Sequence, residues 1–460
     1  MGGVIPDKFK SYLKEAVGSA DCVTVLDAIA SNEPVISIRL NPSKPIPEHI
    51  DSVVNIAKEE DDRVPWCNDG YYLRERPDFT LDPTLHSGAY YVQDASSMFL
   101  SLLEPLIKSK RSILDLCAAP GGKSTHLISM KSPDACFTAN EVIKSRFSIL
   151  KENLAKWGDR SVEMLSIDPV KFGDRQRGSN MKVGARKQFD LILVDAPCSG
   201  EGLFRKDWKA MEEWSEENVE LCAARQRRIL ADIWGSLAPG GDLVYSTCTF
   251  NKYENEENAL WLTREYDAEI IPLERILNSH FDYYINLGVV PDGMAKELLF
   301  VEKLGIRKSS VAGYRFLPGV VRGEGQFFVV VRKSECVGQE TLSEGSVLQK
   351  KSIGKLSQTG SRNRYKSNIN YSKERTNREI KEKPEAEEAL SVDYGCKYPS
   401  VELIKNEALR FLSREAIILK DAPLGYIRVM YGGLGLGFVK NIGSRANNLY
   451  PAGWKIRSRF

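Results

Sequence analysis

At 460 residues the chain can bury at least one large core, and its length suits about two to four domains. Its 64 Lys and Arg nearly balance 62 Asp and Glu, so the net charge of +2 neither requires nor excludes a polyanion, which would need cations gathered on one face. Nine irregularly spaced cysteines make no disulfide framework and no apolar run is long enough to span a membrane, so the expectation is a cytoplasmic protein with reduced thiols and no leader.

Residues 4–30 set Phe9, Tyr12, Leu13, Val23, Leu26 and Ile29 at helical spacing. Residues 35–40 read as a strand closed by Asn41-Pro42, followed by a helix around 50–57. The aromatic stretch 64–73 is interrupted by turn formers. These pieces predict a small α+β domain over 1–80. Residues 86–94 then lead into an apolar helix reaching about Leu106.

From Ser112 the pattern becomes strand, loop, helix. Strands are predicted at 113–116, 137–141, 162–167, 189–194 and 242–244, and final strands at 268–272 and 326–332. Helices fall at 124–130 and 143–157. A long one through Leu221, Ile229 and Ile233 ends at Pro239-Gly240-Gly241. The polar, basic residues 174–186 read as a loop. Alternation of this length predicts a mostly parallel sheet with helices on both faces, over 81–335. Residues 336–395 are poor in large apolar side chains and cannot bury enough surface to offset ordering, which predicts a flexible linker. A β-rich module follows over 396–460, ending with Arg457 and Arg459 close to aromatic residues.

Three strand ends carry residues suited to a cofactor. Cys117-Ala118-Ala119-Pro120-Gly121-Gly122-Lys123 follows an apolar strand and opens a helix, and its glycines let a ligand approach the main chain. The loop fits neither a Walker frame nor GxGxxG. Glu141 closes the second strand, where a carboxylate can accept from both ribose hydroxyls of an adenosine-type cofactor. Asp168 closes the third and can take an adenine amino group. A dinucleotide and S-adenosylmethionine both satisfy this pattern.

Cys198 and Cys248 lie past strand ends among Pro, Gly, Ser and Thr, whereas Cys22, Cys136 and Cys222 read as small buried hydrophobes. No CxxC pair and only four histidines argue against a metal centre. Two thiols beside an acid suit methylation of cytosine C5. A thiolate adding to C6 makes C5 nucleophilic, and a second group removes the C5 proton before the thiolate leaves. Asp195 is placed to contact N3 and the exocyclic amine.

Asp115 to Thr125, Asp195 to Gly202 and Ser246 to Phe250 together resemble the NOL1/NOP2/Sun family of RNA cytosine-C5 methyltransferases, in particular its bacterial branch acting on small-subunit ribosomal RNA. Arg39-Leu40-Asn41-Pro42, Val64-Pro65-Trp66 and residues 86–94 match its N-terminal pattern. Residues 426–431 and 447–451 resemble its PUA-like RNA-binding module. The resemblance implies a Rossmann-like S-adenosylmethionine-dependent core and RNA, 16S ribosomal RNA foremost, as partner of a monomer. It implies Cys248 as nucleophile and Cys198 as the group assisting proton removal and release. Cys117, Ala118, Ala119, Pro120, Gly121, Gly122, Lys123, Glu141, Asp168 and Asp195 would hold the cofactor, with Asp195 and Pro197 facing the base. Arg146 would contact the active-site side or pair with a nearby carboxylate. Arg39, Arg74, Arg76, Arg428 and Arg457 would grip RNA backbone. One departure is Gly319, where relatives usually carry His after the Pro. Transfer RNA as substrate, or an RNA-binding or ribosome-assembly protein with a spent pocket, are the rival readings.

Overall fold

Phe189–Asp195 is apolar at nearly every position because both of its faces are covered. Leu191 and Leu193 enter one core with Phe99, Leu127 and Leu150, while Ile192 and Val194 enter another with Leu230, Ile233 and Leu262. In the computed structural model, which describes residues 5–31, 33–172, 188–278, 301, 303–335, 382–392 and 397–457, this strand lies inside a nine-stranded sheet. Its parallel part runs, in spatial order, Glu163–Leu165, Cys136–Asn140, Ser112–Asp115, Phe189–Asp195 and Leu237–Thr247. Gln326–Lys333 continues the sheet antiparallel, flanked by Tyr314–Phe316 and Ala268–Ile271.

The chain enters this sheet at its middle. From Ser112–Asp115 it builds outward through Cys136–Asn140 and Glu163–Leu165, then crosses back to Phe189–Asp195. That reversal opens a crevice at the carboxyl ends of the two central strands, the usual ligand position in such sheets. This is the Rossmann-like fold of S-adenosylmethionine-dependent methyltransferases, as expected.

Three expectations change. The long helix, Glu216–Trp234, stops before Pro239-Gly240-Gly241, and those residues form an irregularity within Leu237–Thr247, where the pairing with Phe189–Asp195 shifts register. A bulge accommodates Pro and a Gly at φ +70° that a regular strand would not. The N-terminal sheet takes its third strand from Tyr90–Val92, paired to Ser37–Leu40 beside Gly70–Tyr72, so a boundary at residue 80 cuts through it. The helix Asp7–Ser31, broken at Gly18, leaves that sheet altogether and packs Phe9, Leu13 and Val25 against Phe204, Trp214 and Phe250 of the catalytic body.

Of the expected linker, 336–381 and 393–395 lie outside the described residues, as do all of 174–186 and Arg459. Residues 382–392 are not linker: Ala386–Leu390 is helical, with Ala389 and Leu390 buried. The Lys44 ammonium, itself buried, donates to the carbonyls of Ser87 (2.8 Å), Lys156 (2.6 Å) and Leu390 (2.7 Å) and so joins this helix to both the N-terminal and catalytic parts. Beyond it, Ser400–Glu402, Gly425–Tyr431, Leu434–Asn441 and Ala446–Asn448 form a four-stranded sheet around Phe411, Ile427, Val439 and Tyr450. Among the described residues no helix is long and apolar enough to cross a membrane.

Candidate active site

Parallel pairing of Phe189–Asp195 with Leu237–Thr247 sets Asp195 opposite Ser246, and the two cysteine tips leave the sheet side by side. Cys198 Sγ lies 3.3 Å from Cys248 Sγ. Glycine is required where the tips cross: a Cβ on Gly202 would stand 2.6 Å from the Cys248 carbonyl, which accepts from the Gly202 N–H at 2.8 Å. Asp195 Oδ1 accepts from Ser246 Oγ at 2.8 Å and Oδ2 from Lys123 Nζ at 2.9 Å.

The two thiols are unlike. A hydrogen bond from Cys198 holds Cys248 below the ordinary thiol value against the effect of burial, with Lys123 adding attraction and Asp195 opposing it. The same hydrogen bond and burial push Cys198 well above that value. The contact thus makes Cys248 the more acidic of the two thiols. Burial works against the Lys123 ammonium, but attraction to Asp195 outweighs it and keeps the cation charged. Burial first, and then the nearby carboxylates of Asp115, Asp195 and Glu141, push Cys117 upward, which makes that thiol a poor nucleophile.

Beneath the cysteines lies a polar lattice that sequence reading missed. Buried Glu201 accepts from the N–H groups of Phe250 (2.7 Å) and Asn251 (3.0 Å) and from Trp214 Nε1 (2.9 Å), fixing the turn after Cys248. Glu254 accepts from the Ser199 N–H (3.0 Å) and Gln226 Nε2 (2.7 Å), fixing the turn after Cys198. Gln226 also holds the Pro197 carbonyl at 3.0 Å. Buried carboxylates close to a Gly-rich tip were the available signal; the partners, up to 55 positions away, were not.

At the cofactor end, Gly121 adopts φ +116°, reserved for glycine, and opens the helix Gly122–Met130. The loop is pinned from outside. Ala118 N–H donates to the Asn140 carbonyl (2.9 Å), Arg146 Nη2 to the Ala119 carbonyl (2.6 Å) and Asn153 Nδ2 to the Pro120 carbonyl (2.8 Å). Asn140 further ties Leu116 to Ile167 across the strand ends. Glu141 Oε1 accepts from the Ile143 N–H at 2.9 Å, while among the described residues Oε2 has a 3.4 Å ion pair with Arg146 and no hydrogen bond. Arg146 thus realises the carboxylate pairing. Asp115 Oδ2 accepts from Ser124 at 2.6 Å, and its buried Oδ1 has no hydrogen-bond partner among the described residues. Asp168 is exposed at the rim, with Oδ1 capping Val170. Buried acceptors left open beside a glycine-opened main chain fit the hydroxyls and ammonium of S-adenosylmethionine.

Two arginines are corrected. Arg39 is 1% exposed, donating to Gln93 (2.8 Å) and Thr125 (2.6 Å), so it braces the cofactor helix and is not placed to grip phosphate. Arg428 spends its guanidinium on the Ala389 carbonyl at 2.7 Å. Gly319 has a local reason: φ is +83°, and a Cβ would sit 2.9 Å from both Cγ2 and the carbonyl of Thr24 in the docked N-terminal helix.

Family models match in chain order. They are the N-terminal domain of 16S rRNA methyltransferase RsmF over residues 5–95, 16S rRNA methyltransferase RsmB/F over 101–305, and the methyltransferase RsmF PUA domain over 398–456. Ribosomal RNA small subunit methyltransferase F of Enterobacter sp. (strain 638) is 30% identical over 97% of this chain and 95% of its own length. The Escherichia fergusonii protein of the same name is 39% identical over 46% of this chain and 43% of its own. Among solved structures, a methyltransferase homolog from Pyrococcus horikoshii has a TM-score of 0.50 at 24% identity, covering 71% of this chain and 95% of its own. NSun6 from the same organism, solved with SFG, has 0.50 at 19%, covering 72% and 98%. These two share the fold. The near full-length relative carries the assignment, and the chain belongs to the RsmF family of 16S ribosomal RNA methyltransferases.

Proposed function

We propose that this chain methylates C5 of a cytidine in 16S ribosomal RNA through a covalent bond between Cys248 and C6. The pair of thiols 3.3 Å apart, next to the Lys123–Asp195 ion pair, carries this reading. A methyl transfer to oxygen or nitrogen has no use for a second thiol.

Bound S-adenosylmethionine supplies an electrophilic methyl group. Asp115, Glu141 and the Gly121-Gly122 main chain would hold it, with Asp168 at the rim. Asp195, oriented by Ser246 and Lys123, faces the ring and favours a proton on N3, so that attack produces a neutral enamine instead of an anion. Cys248 thiolate bonds to C6, and the electron pair shifts to C5, which takes the methyl. Forming the C–S bond consumes the thiolate that had held the Cys198 proton. Cys198 can then lose that proton to solvent, accept the C5 proton, and so allow the C6–S bond to break with the pair returning to Cys248. The reacting base must first leave its stack, at a cost of a few kcal/mol.

The test is to incubate the wild type, Cys248→Ala and Cys198→Ala, each with unmodified 16S ribosomal RNA and separately with transfer RNA, and methyl-labelled S-adenosylmethionine. Loss of transfer is expected for the first. A methylated RNA–protein adduct stable on a denaturing gel is expected for the second. Transfer by Cys248→Ala, or label found outside 5-methylcytidine, would reject the proposed chemistry. Label entering transfer RNA alone would keep the chemistry and change the substrate.

A further inference from the structure

A cavity of about 730 Å³ opens between the N-terminal sheet and the loop that follows Cys198, and the chemistry above does not use it. Its size falls within the roughly 300–1,000 Å³ of ligand pockets. Val35, Ile36 and Val92 give it an apolar wall, and the cations of Arg76, Arg205 and Lys206 outnumber the carboxylates of Glu33 and Asp94 in its lining. Arg205 is buried and committed, donating to Glu324 (2.9 Å) and to the Gly323 carbonyl (2.8 Å), so it stiffens the loop. Lys206 is different. Its side chain is 35% exposed, and among the described residues its ammonium has long ion pairs, 3.3 Å to Glu324 and 3.6 Å to Asp94, which leave donors for a stronger acceptor. Arg76 is exposed, with its guanidinium over the Phe79 ring at 5.5 Å.

The cavity is connected to the cysteine tips along the chain and through a hydrogen-bond relay. Lys206 follows Gly202, whose N–H holds the Cys248 carbonyl, by at most about 14 Å of chain. From the other side, Gln93 lines the cavity and donates to the Ser97 carbonyl (3.3 Å), and Ser97 Oγ donates to Gln326 Oε1, which Lys123 also reaches at 3.5 Å. An apolar wall with cations beside it suits the ring and phosphate of a nucleotide.

We infer that this cavity holds a ribonucleotide of the substrate strand neighbouring the reacting base, with its phosphate on Lys206 and Arg76 and its ring against Val35, Ile36 and Val92. The inference rests on the RNA methyltransferase reading. It assigns Lys206 and Arg76 to RNA positioning and places them outside the bond-making steps.

The test uses the full chain with Lys206→Ala, Arg76→Ala, the double variant and Lys206→Arg. Affinity for fluorescein-labelled 16S transcript is measured between 50 and 200 mM salt, together with S-adenosylmethionine affinity and steady-state kinetics. Each alanine should weaken RNA binding about 3–10-fold and reduce the slope of log K against log salt by about 0.7–0.9. KM for RNA should rise more than kcat falls, cofactor affinity should hold, and Lys206→Arg should restore the slope. Wild-type affinity and slope in the double variant would overturn the inference, as would a wild-type chain that does not bind the transcript. If the wild type binds transcript but transfers no methyl, the functional reading fails while the salt slopes still decide the cavity.

Discussion

Lys44→Met removes an ammonium that three segments share. Two of its acceptors, the carbonyls of Ser87 and Leu390, are in buried contacts, whereas that of Lys156 is partly buried and can take water instead. Each buried carbonyl left without a donor costs about 1–3 kcal/mol, and charge-assisted bonds of this kind contribute about 1.5–3 kcal/mol. Methionine recovers some packing from the lost stem. The expected net loss is about 2–4 kcal/mol, from two buried carbonyls left unsatisfied less the packing that methionine recovers. The damage should concentrate on Ala386–Leu390, which is also held by Arg428 on the Ala389 carbonyl and by Lys151 beside Glu387 at 3.3 Å. Hydrogen exchange of those amides should accelerate by about 10²–10³-fold, and urea unfolding should report the global loss. Lys405→Ala is the control, because its ion pair with Asp51 is exposed and should be worth under about 1 kcal/mol. Unchanged protection of Ala386–Leu390 in Lys44→Met would refute the argument that buried carbonyls were depending on this donor.

In Cys198→Ala the rate at which Cys248 reacts with iodoacetamide, mapped by peptide mass, should rise with pH at a higher midpoint than in the wild type. The lost hydrogen bond is the leading cause of the lowered Cys248 value, so an unmoved midpoint would contradict it. Gly319→His should lower stability by about 2–4 kcal/mol, summing a left-handed backbone penalty and overpacking against Thr24, as read by urea denaturation. Glu201→Gln keeps the shape but loses an acceptor shared by two main-chain N–H groups; kcat should fall while S-adenosylmethionine affinity holds, and equal losses in both would argue for general unfolding. Burial raises Asp115 from 3.8 to about 7, so between those values the folded form holds a proton that the unfolded form has released. Stability should therefore fall as pH rises through that window, by up to about 1.4 kcal/mol per pH unit, and Asp115→Asn should remove this component.

The periodic part of the chain announced itself. Apolar runs such as Phe189–Asp195 can only be strands covered on both faces, and their alternation with helices dictates a parallel sheet whose loops at one end carry the chemistry. The cysteines, Asp195, Glu141 and the Gly121-Gly122 loop could be found for the same reason: strand ends are local features. What failed was everything that depends on partners distant in sequence. Arg39 reads as a surface cation, yet Gln93 and Thr125 bury it. Residues 382–392 read as linker, yet Lys44 and Arg428 hold them from two different domains. The helix Asp7–Ser31 is amphipathic in any setting, and only tertiary packing decides that Phe204 and Phe250 receive it, which in turn leaves no room for a side chain at Gly319. The asymmetry of the two thiols belongs to the same class. Cysteine at 198 and at 248 is chemically identical in the sequence, and it is the 3.3 Å contact, with Lys123 and Asp195 near Cys248, that moves the two thiols in opposite directions, Cys248 down and Cys198 up.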